Sequence, residues 1–225
     1  MYNSVRLLFG AVILSLLCSC SDGVDVKIEE KTYQTDVGEV RINVPELSCE
    51  KEQEFAENIN DTYNKEVSAI VNNFLSKPPS EKENYSLEAD CEIARNDGRI
   101  VSVILEGEAF TGGAHGEKFR ITKTIDFLQK KIIVLEDLFA DDSWKTVIDN
   151  KMKDIAEKGE GDYSELWEMP STKNLNSSNF YLKDGKLVLY YPPYQLSYYR
   201  RGYVEFEFDK EELSGYLSDY AREFL

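Results

Sequence analysis

Tyr85, Leu87, Ala89, Cys91 and Ile93 alternate with polar residues, and the run stops at Asn96-Asp97-Gly98. Period-2 alternation puts one set of side chains on one face of a strand, and Asn-Asp-Gly is hairpin chemistry. Val101, Val103 and Leu105 carry the return strand to Phe110. Phe119, Ile121, Ile125 and Phe127 mark a third strand. These runs predict an antiparallel meander with one face packed on a helix. That helix is predicted from about Glu50 to Leu75, where Phe55, Ile59, Tyr63, Val67, Ile70, Val71 and Phe74 fall at spacings of three and four. Ser48 is its candidate N-cap, and Pro78-Pro79 forbids its continuation. Ahead of it, Val24, Val26 and Ile28 alternate, as do Val40, Ile42 and Val44 up to Pro45.

The second half has the same style. Leu135–Phe139 reads as a short helical turn. Asp141 or Asp142 caps a helix carrying Trp144, Val147, Ile148, Met152 and Ile155, ended by Gly159 and Gly161. Residues 160–178 are polar and read as a loop. Asp184-Gly185 joins a hairpin, and Val204, Phe206 and Phe208 form a strand with one wet face. Asp209 and Glu212 have capping-box spacing before a last helix carrying Leu213, Tyr216, Leu217 and Tyr220. The fold class is α+β: antiparallel sheets packed with a few helices, in two small associated subdomains at 38–116 and 117–225.

The N-terminus is not part of that fold. Arg6 precedes an apolar run, Leu7 to Leu17, that suits a signal peptide and is too short for a permanent span. Leu17-Cys18-Ser19-Cys20 has the lipobox pattern of bacterial lipoproteins. Residues 1–19 are therefore expected to be removed, Cys20 to be lipidated, and 20–37 to form a tether leading into the first strand. The expected location is the bacterial cell envelope, with membrane attachment through lipid. Cleavage removes one basic residue and no acidic one, taking the net charge from −16 to −17. A chain this acidic offers no phosphate footprint for nucleic acid, and it attracts basic partners. Cys49 and Cys91 remain after export, and an oxidising compartment makes them a candidate disulfide. Two buried thiols are the alternative, since spacing alone cannot fix their separation.

No metal-ligand spacing, Gly-x-Ser-x-Gly elbow or other catalytic constellation is present, and no cofactor is implied. The only histidine, His115, lies in Phe110-Thr111-Gly112-Gly113-Ala114-His115-Gly116. There it either locks a turn, touches a ligand or acts in catalysis. The richest candidate surface is 190–203, with Tyr194, Tyr198, Tyr199, Arg200 and Arg201. Tyrosine and arginine favour recognition because both join large contact area to polar tips. The alternative is that these tyrosines pack a strand pair.

Several segments then occur in a telling order. They are Ile42-Asn43-Val44-Pro45, Asn58-Ile59-Asn60, the glycine-histidine heptapeptide, Ile125-Asp126-Phe127 and Leu135-Glu136-Asp137-Leu138-Phe139. Tyr181 to Leu187 and Tyr194 to Gly202 close the series. The chain resembles the PdaC/RsiV-like extracytoplasmic domain pair over nearly its whole mature length, departing from it at Arg200-Arg201. That pair occurs in a peptidoglycan deacetylase, a lysozyme-sensing anti-sigma factor and stand-alone lipoproteins. The resemblance implies a sensing or binding module whose partner is a basic lysozyme-like protein or a peptidoglycan fragment, rather than an enzyme. A cell-wall hydrolase, deacetylase or esterase with an unrecognised site, and a purely structural lipoprotein, are the rival expectations.

Overall fold

The computed structural model describes residues 23–78, 84–159 and 163–225. The signal peptide, Cys20 and Gly161 lie outside these residues. Among the described residues, nine strands form two sheets, one of six strands in chain order β1 to β6 and one of three, β7-β8-β9. The fold is α+β, as expected. Two compact units divide the chain: residues up to Arg99 with Val103–Ile121, and Ile100–Ser102 with Thr122–Leu225.

In the first unit, β1 (Asp25–Gln34) pairs antiparallel with β2 (Gly38–Ser48) over its full length. β2 does not stop at Pro45, which pairs with Ile28. The missing proline N–H costs nothing on the other side, because the β2 ladder with β3 (Tyr85–Asn96) ends at Ile42↔Ala89. That ladder is parallel. The connection must therefore cross over, and α1 (Gln53–Leu75) supplies the crossover. The sheets are antiparallel-dominated as expected, with β2–β3 a parallel exception.

α1 packs on β2, burying Ala56, Ile59, Tyr63, Val67 and Phe74. It starts after a turn closed by Glu52 N–H donating to Cys49 O, so Glu52 and not Ser48 is its N-cap. Asn60 welds the helix to β2. Its Oδ1 accepts from Leu47 N at 2.9 Å, and its Nδ2 donates to Leu47 O at 2.8 Å.

The second unit begins inside β4 (Ile100–Phe110) and β5 (Glu117–Asp126). The first six residues of β4 are all buried, so the strand is covered on both faces where alternation had predicted one. Ser102 is tolerated there because its hydroxyl shares a hydrogen bond with Thr124 and accepts from Leu182 N. β6 (Lys131–Ile133) pairs with β5. α2 (Ser143–Lys158) follows Asp141, whose Oδ1 accepts from Ser143 N, and ends at Gly159 with φ 59°. β7 (Phe180–Lys183), β8 (Lys186–Tyr191) and β9 (Val204–Asp209) are antiparallel. The β7–β8 turn has φ 50° at Asp184 and 76° at Gly185, the left-handed geometry of a hairpin turn.

The core of this unit gathers Trp144, Ile148 and Met152 of α2 with Leu182, Leu189 and Phe206 of the small sheet. The capping box forms, with Asp209 N donating to Glu212 Oε2, but α3 (Lys210–Leu213) is only one turn long. The predicted longer helix is replaced because Leu217 bridges Phe139. Ala140 N bonds Tyr216 O and Ser218 N bonds Leu138 O, which pulls this segment out of helical pairing.

Candidate functional site

The expected disulfide is absent: Cys49 and Cys91 are both free cysteines. The β2–β3 ladder ends at Ile42↔Ala89, so strand pairing does not hold the two cysteines together. Burial pushes the Cys91 thiol up to about 12, so it stays protonated and unreactive at neutral pH.

His115 is exposed and belongs to the first unit. Its Nδ1 lies 2.8 Å from Gly116 O, which can only accept, so that nitrogen carries the proton. Gly116 N donates to Glu108 Oε1 at 3.0 Å, and a Cβ on Gly116 would collide with the Glu108 side chain. Gly112 and Gly113 have φ 93° and 94°, which glycine adopts without steric cost. The heptapeptide is thus a turn that closes on its own flanking strand.

Tyr194, Tyr198, Tyr199, Arg200 and Arg201 come together in the β8–β9 connection of the second unit. Pro192 O accepts from Gln195 N, and Tyr194 sits at φ 70°. Leu196 is fully buried and Ser197 is 2% exposed, so the middle of the loop is nailed into the core. Tyr199–Arg201 form a 3-10 turn, closed by Arg201 N on Tyr198 O and Gly202 N on Tyr199 O.

A second segment, 163–174, braces this loop. Ser197 Oγ donates to Glu165 O at 2.9 Å, Trp167 N to Leu196 O at 3.0 Å, and Gln195 Nε2 to Asn174 O at 2.7 Å. Tyr163 donates to Glu205 O and stacks on Phe206. The bracing leaves large rings open: Trp167 is 49% exposed, Tyr194 55% and Tyr198 53%. Trp167 and Tyr198 meet in a T-shape with centroids 4.8 Å apart. Arg200 lies 5.9 Å from the Tyr198 ring centre and pairs with Glu165 Oε1 at 2.6 Å. The same pair lines a cleft of about 460 Å³, with Arg201, Tyr203, Glu205 and Glu207 on its walls.

The reading of 160–178 as a polar loop missed Trp167 and Glu165. The available signal was a tryptophan stranded in a polar stretch. Among the described residues, no group of three or more His, Cys, Asp or Glu side chains is placed to hold a metal ion. Nor is any helix there long and apolar enough to cross a membrane.

The fold agrees with the comparisons to known proteins. Residues 31–118 match the family described as Deacetylase PdaC, and residues 136–211 match a protein family of unknown function, DUF3298. By these two matches together, the chain is similar to the PdaC and DUF3298 families in its first and second halves respectively. It is 28% identical over 119 residues to the peptidoglycan-N-acetylmuramic acid deacetylase PdaC of Bacillus subtilis. That match spans 49% of this chain and 25% of the relative's length, so three quarters of that enzyme has no counterpart in the alignment. A DUF3298 family member from Bacteroides fragilis has a similar structure, with TM-score 0.63 at 14% identity, covering 88% of this chain and 95% of its own. Another from Pseudomonas aeruginosa gives TM-score 0.61 at 19% identity, with 90% and 97% coverage.

Proposed function

We infer that this chain is a non-enzymatic binding module of the bacterial cell envelope, lipid-anchored through Cys20, whose ligand is a peptidoglycan fragment. The observation that carries the reading is the braced loop of 192–203. It is held by the backbone groups of Glu165, Trp167 and Asn174, while Tyr194, Tyr198 and Trp167 keep their rings in solvent. Aromatic side chains clustered at a rigid exposed site beside arginine have the composition of a recognition surface. The name of the Bacillus subtilis relative concerns peptidoglycan, which supports that choice of ligand. A basic lysozyme-like protein is the second reading, favoured by the net charge of −16.

Calorimetric titration of the full chain, in a sugar-free detergent, with muropeptides and separately with lysozyme tests both. Saturable heat with muropeptides is the expected result, and saturable heat with lysozyme alone selects the second reading. Steady heat evolution on muropeptides would overturn the non-enzymatic assignment in favour of hydrolysis or deacetylation. For the anchor, Cys20→Ala should move the protein from the membrane to the soluble fraction, and unchanged membrane retention would contradict lipidation at that residue.

A further inference from the structure

The cleft beside Arg200 has a lining that carries charges of both signs. Two arginines and three glutamates face it, together with Tyr163 and Tyr203. Several of these groups already have partners within the protein. Arg200 pairs with Glu165 at 2.6 Å and Glu207 with Lys186 at 3.0 Å, while Glu205 Oε2 accepts from Tyr181 at 3.1 Å. A cationic ligand reaching the Tyr198 ring meets the Arg200 guanidinium 5.9 Å from its centre. An anionic ligand meets Glu165, Glu205 and Glu207. An uncharged ligand with neighbouring hydroxyl or amide groups meets donors and acceptors at once, since arginine only donates and carboxylate only accepts.

The adjoining rings add an apolar requirement. In a T-shaped pair, the ring that offers its edge keeps both faces out of the contact, and Trp167 and Tyr198 are each about half exposed. An aromatic face carries partial negative charge and attracts polarised C–H groups. A pyranose has that dual character, with C–H groups on its flat face and hydroxyls at its rim. The cleft volume of about 460 Å³ lies within the range of small-molecule sites.

We propose that Trp167 and Tyr198, with the Arg200–Glu165 pair, form a binding site for an uncharged saccharide. One pyranose ring stacks on the aromatic pair, and the adjoining ring is hydrogen-bonded in the cleft. This rests on the binding-module reading and narrows its ligand to the glycan rather than to charged stem peptides or a basic protein.

The test is titration of the full chain, in sugar-free detergent, with a neutral N-acetylglucosamine hexamer, its cationic deacetylated counterpart and an anionic oligogalacturonate. Binding is read by calorimetry and by tryptophan emission. The protein has two tryptophans, and Trp144 is only 3% exposed, so a Trp144→Phe chain reports from Trp167. The neutral hexamer should bind with a shift in Trp167 emission, at least tenfold more tightly than either charged oligomer. Affinity should change less than twofold in 1 M NaCl. Trp167→Ala and Tyr198→Ala should each weaken binding tenfold or more with unchanged near-UV circular dichroism, and Glu165→Gln about fivefold. Absence of hexamer binding at millimolar concentration, preference for a charged oligomer, or indifference to both ring removals overturns the site. If muropeptides or lysozyme still bind in that case, the module reading stands and this inference alone falls. If nothing binds, both fall.

Discussion

The turn at 111–116 and the loop at 192–203 were the two conspicuous segments of the sequence, and they differ in how far their hydrogen bonds reach. The turn folds its bonds inward: Gly116 N goes to Glu108, and His115 goes to Gly116 O. The loop has turn bonds of its own, but Gln195, Leu196 and Ser197 are also bonded to a separate segment, 163–174, and the Tyr194 and Tyr198 rings stay in solvent. A segment that satisfies itself is shaped for conformation. A segment held from elsewhere is rigid while its side chains remain available. Rarity of residue type, here a lone histidine among glycines, is therefore a weaker guide to a binding surface than the destination of the backbone's bonds.

The largest effect that would break the contrast comes from the loop's anchor. Leu196 is fully buried in the second unit's core, so Leu196→Ala should cost about 3 kcal/mol of stability and abolish ligand binding with it. Denaturant midpoints measure the first, and a cost below about 1 kcal/mol would mean the loop is not pinned there. Tyr194→Ala should lower ligand affinity severalfold while leaving thermal stability unchanged, because the ring is 55% exposed and alanine keeps the same backbone φ of 70°. Calorimetry and thermal melts together would show it.

In the turn, Gly116→Ala should cost about 1 kcal/mol, because the new Cβ displaces Glu108 from its bond to the residue 116 amide. Chemical denaturation checks this, with no loss of ligand affinity expected. A subtler effect is at Cys91. Its thiol is held neutral up to about 12 by burial, whereas an unfolded thiol ionises near about 8.5. The unfolded state releases the proton first, so this contribution is intact below that lower value and is lost as pH rises toward 12. Cys91→Ala should flatten the fall of stability between pH 9 and 11, and parallel profiles would contradict it. Smallest of all, His115→Ala should change stability by less than about 0.5 kcal/mol, as surface substitutions do, and leave affinity untouched.

Local signals were readable and long-range ones were not. Alternation marked β3 and β5, Asp184-Gly185 announced its hairpin, and Asp209 with Glu212 formed the expected box. The parallel β2–β3 pair carries no mark in either strand, since its direction depends on the crossover by α1. The Leu217–Phe139 bridge overrode a helical pattern for the same reason: its partner lies some eighty residues away. The candidate disulfide rested on compartment and count alone, and both thiols are free. At the candidate site, Tyr194 to Arg201 stood out by composition. Trp167 and Glu165 did not, because what makes them part of the surface is contact with Tyr198 and Arg200 across the chain.

The most direct test of this contrast is amide shift mapping of the full chain by heteronuclear magnetic resonance as muropeptide is added. The account predicts saturable shifts at Glu165, Trp167 and 194–203, with 111–117 unmoved. Shifts centred on 111–117, or a silent 194–203 segment in a sample that binds, would contradict it.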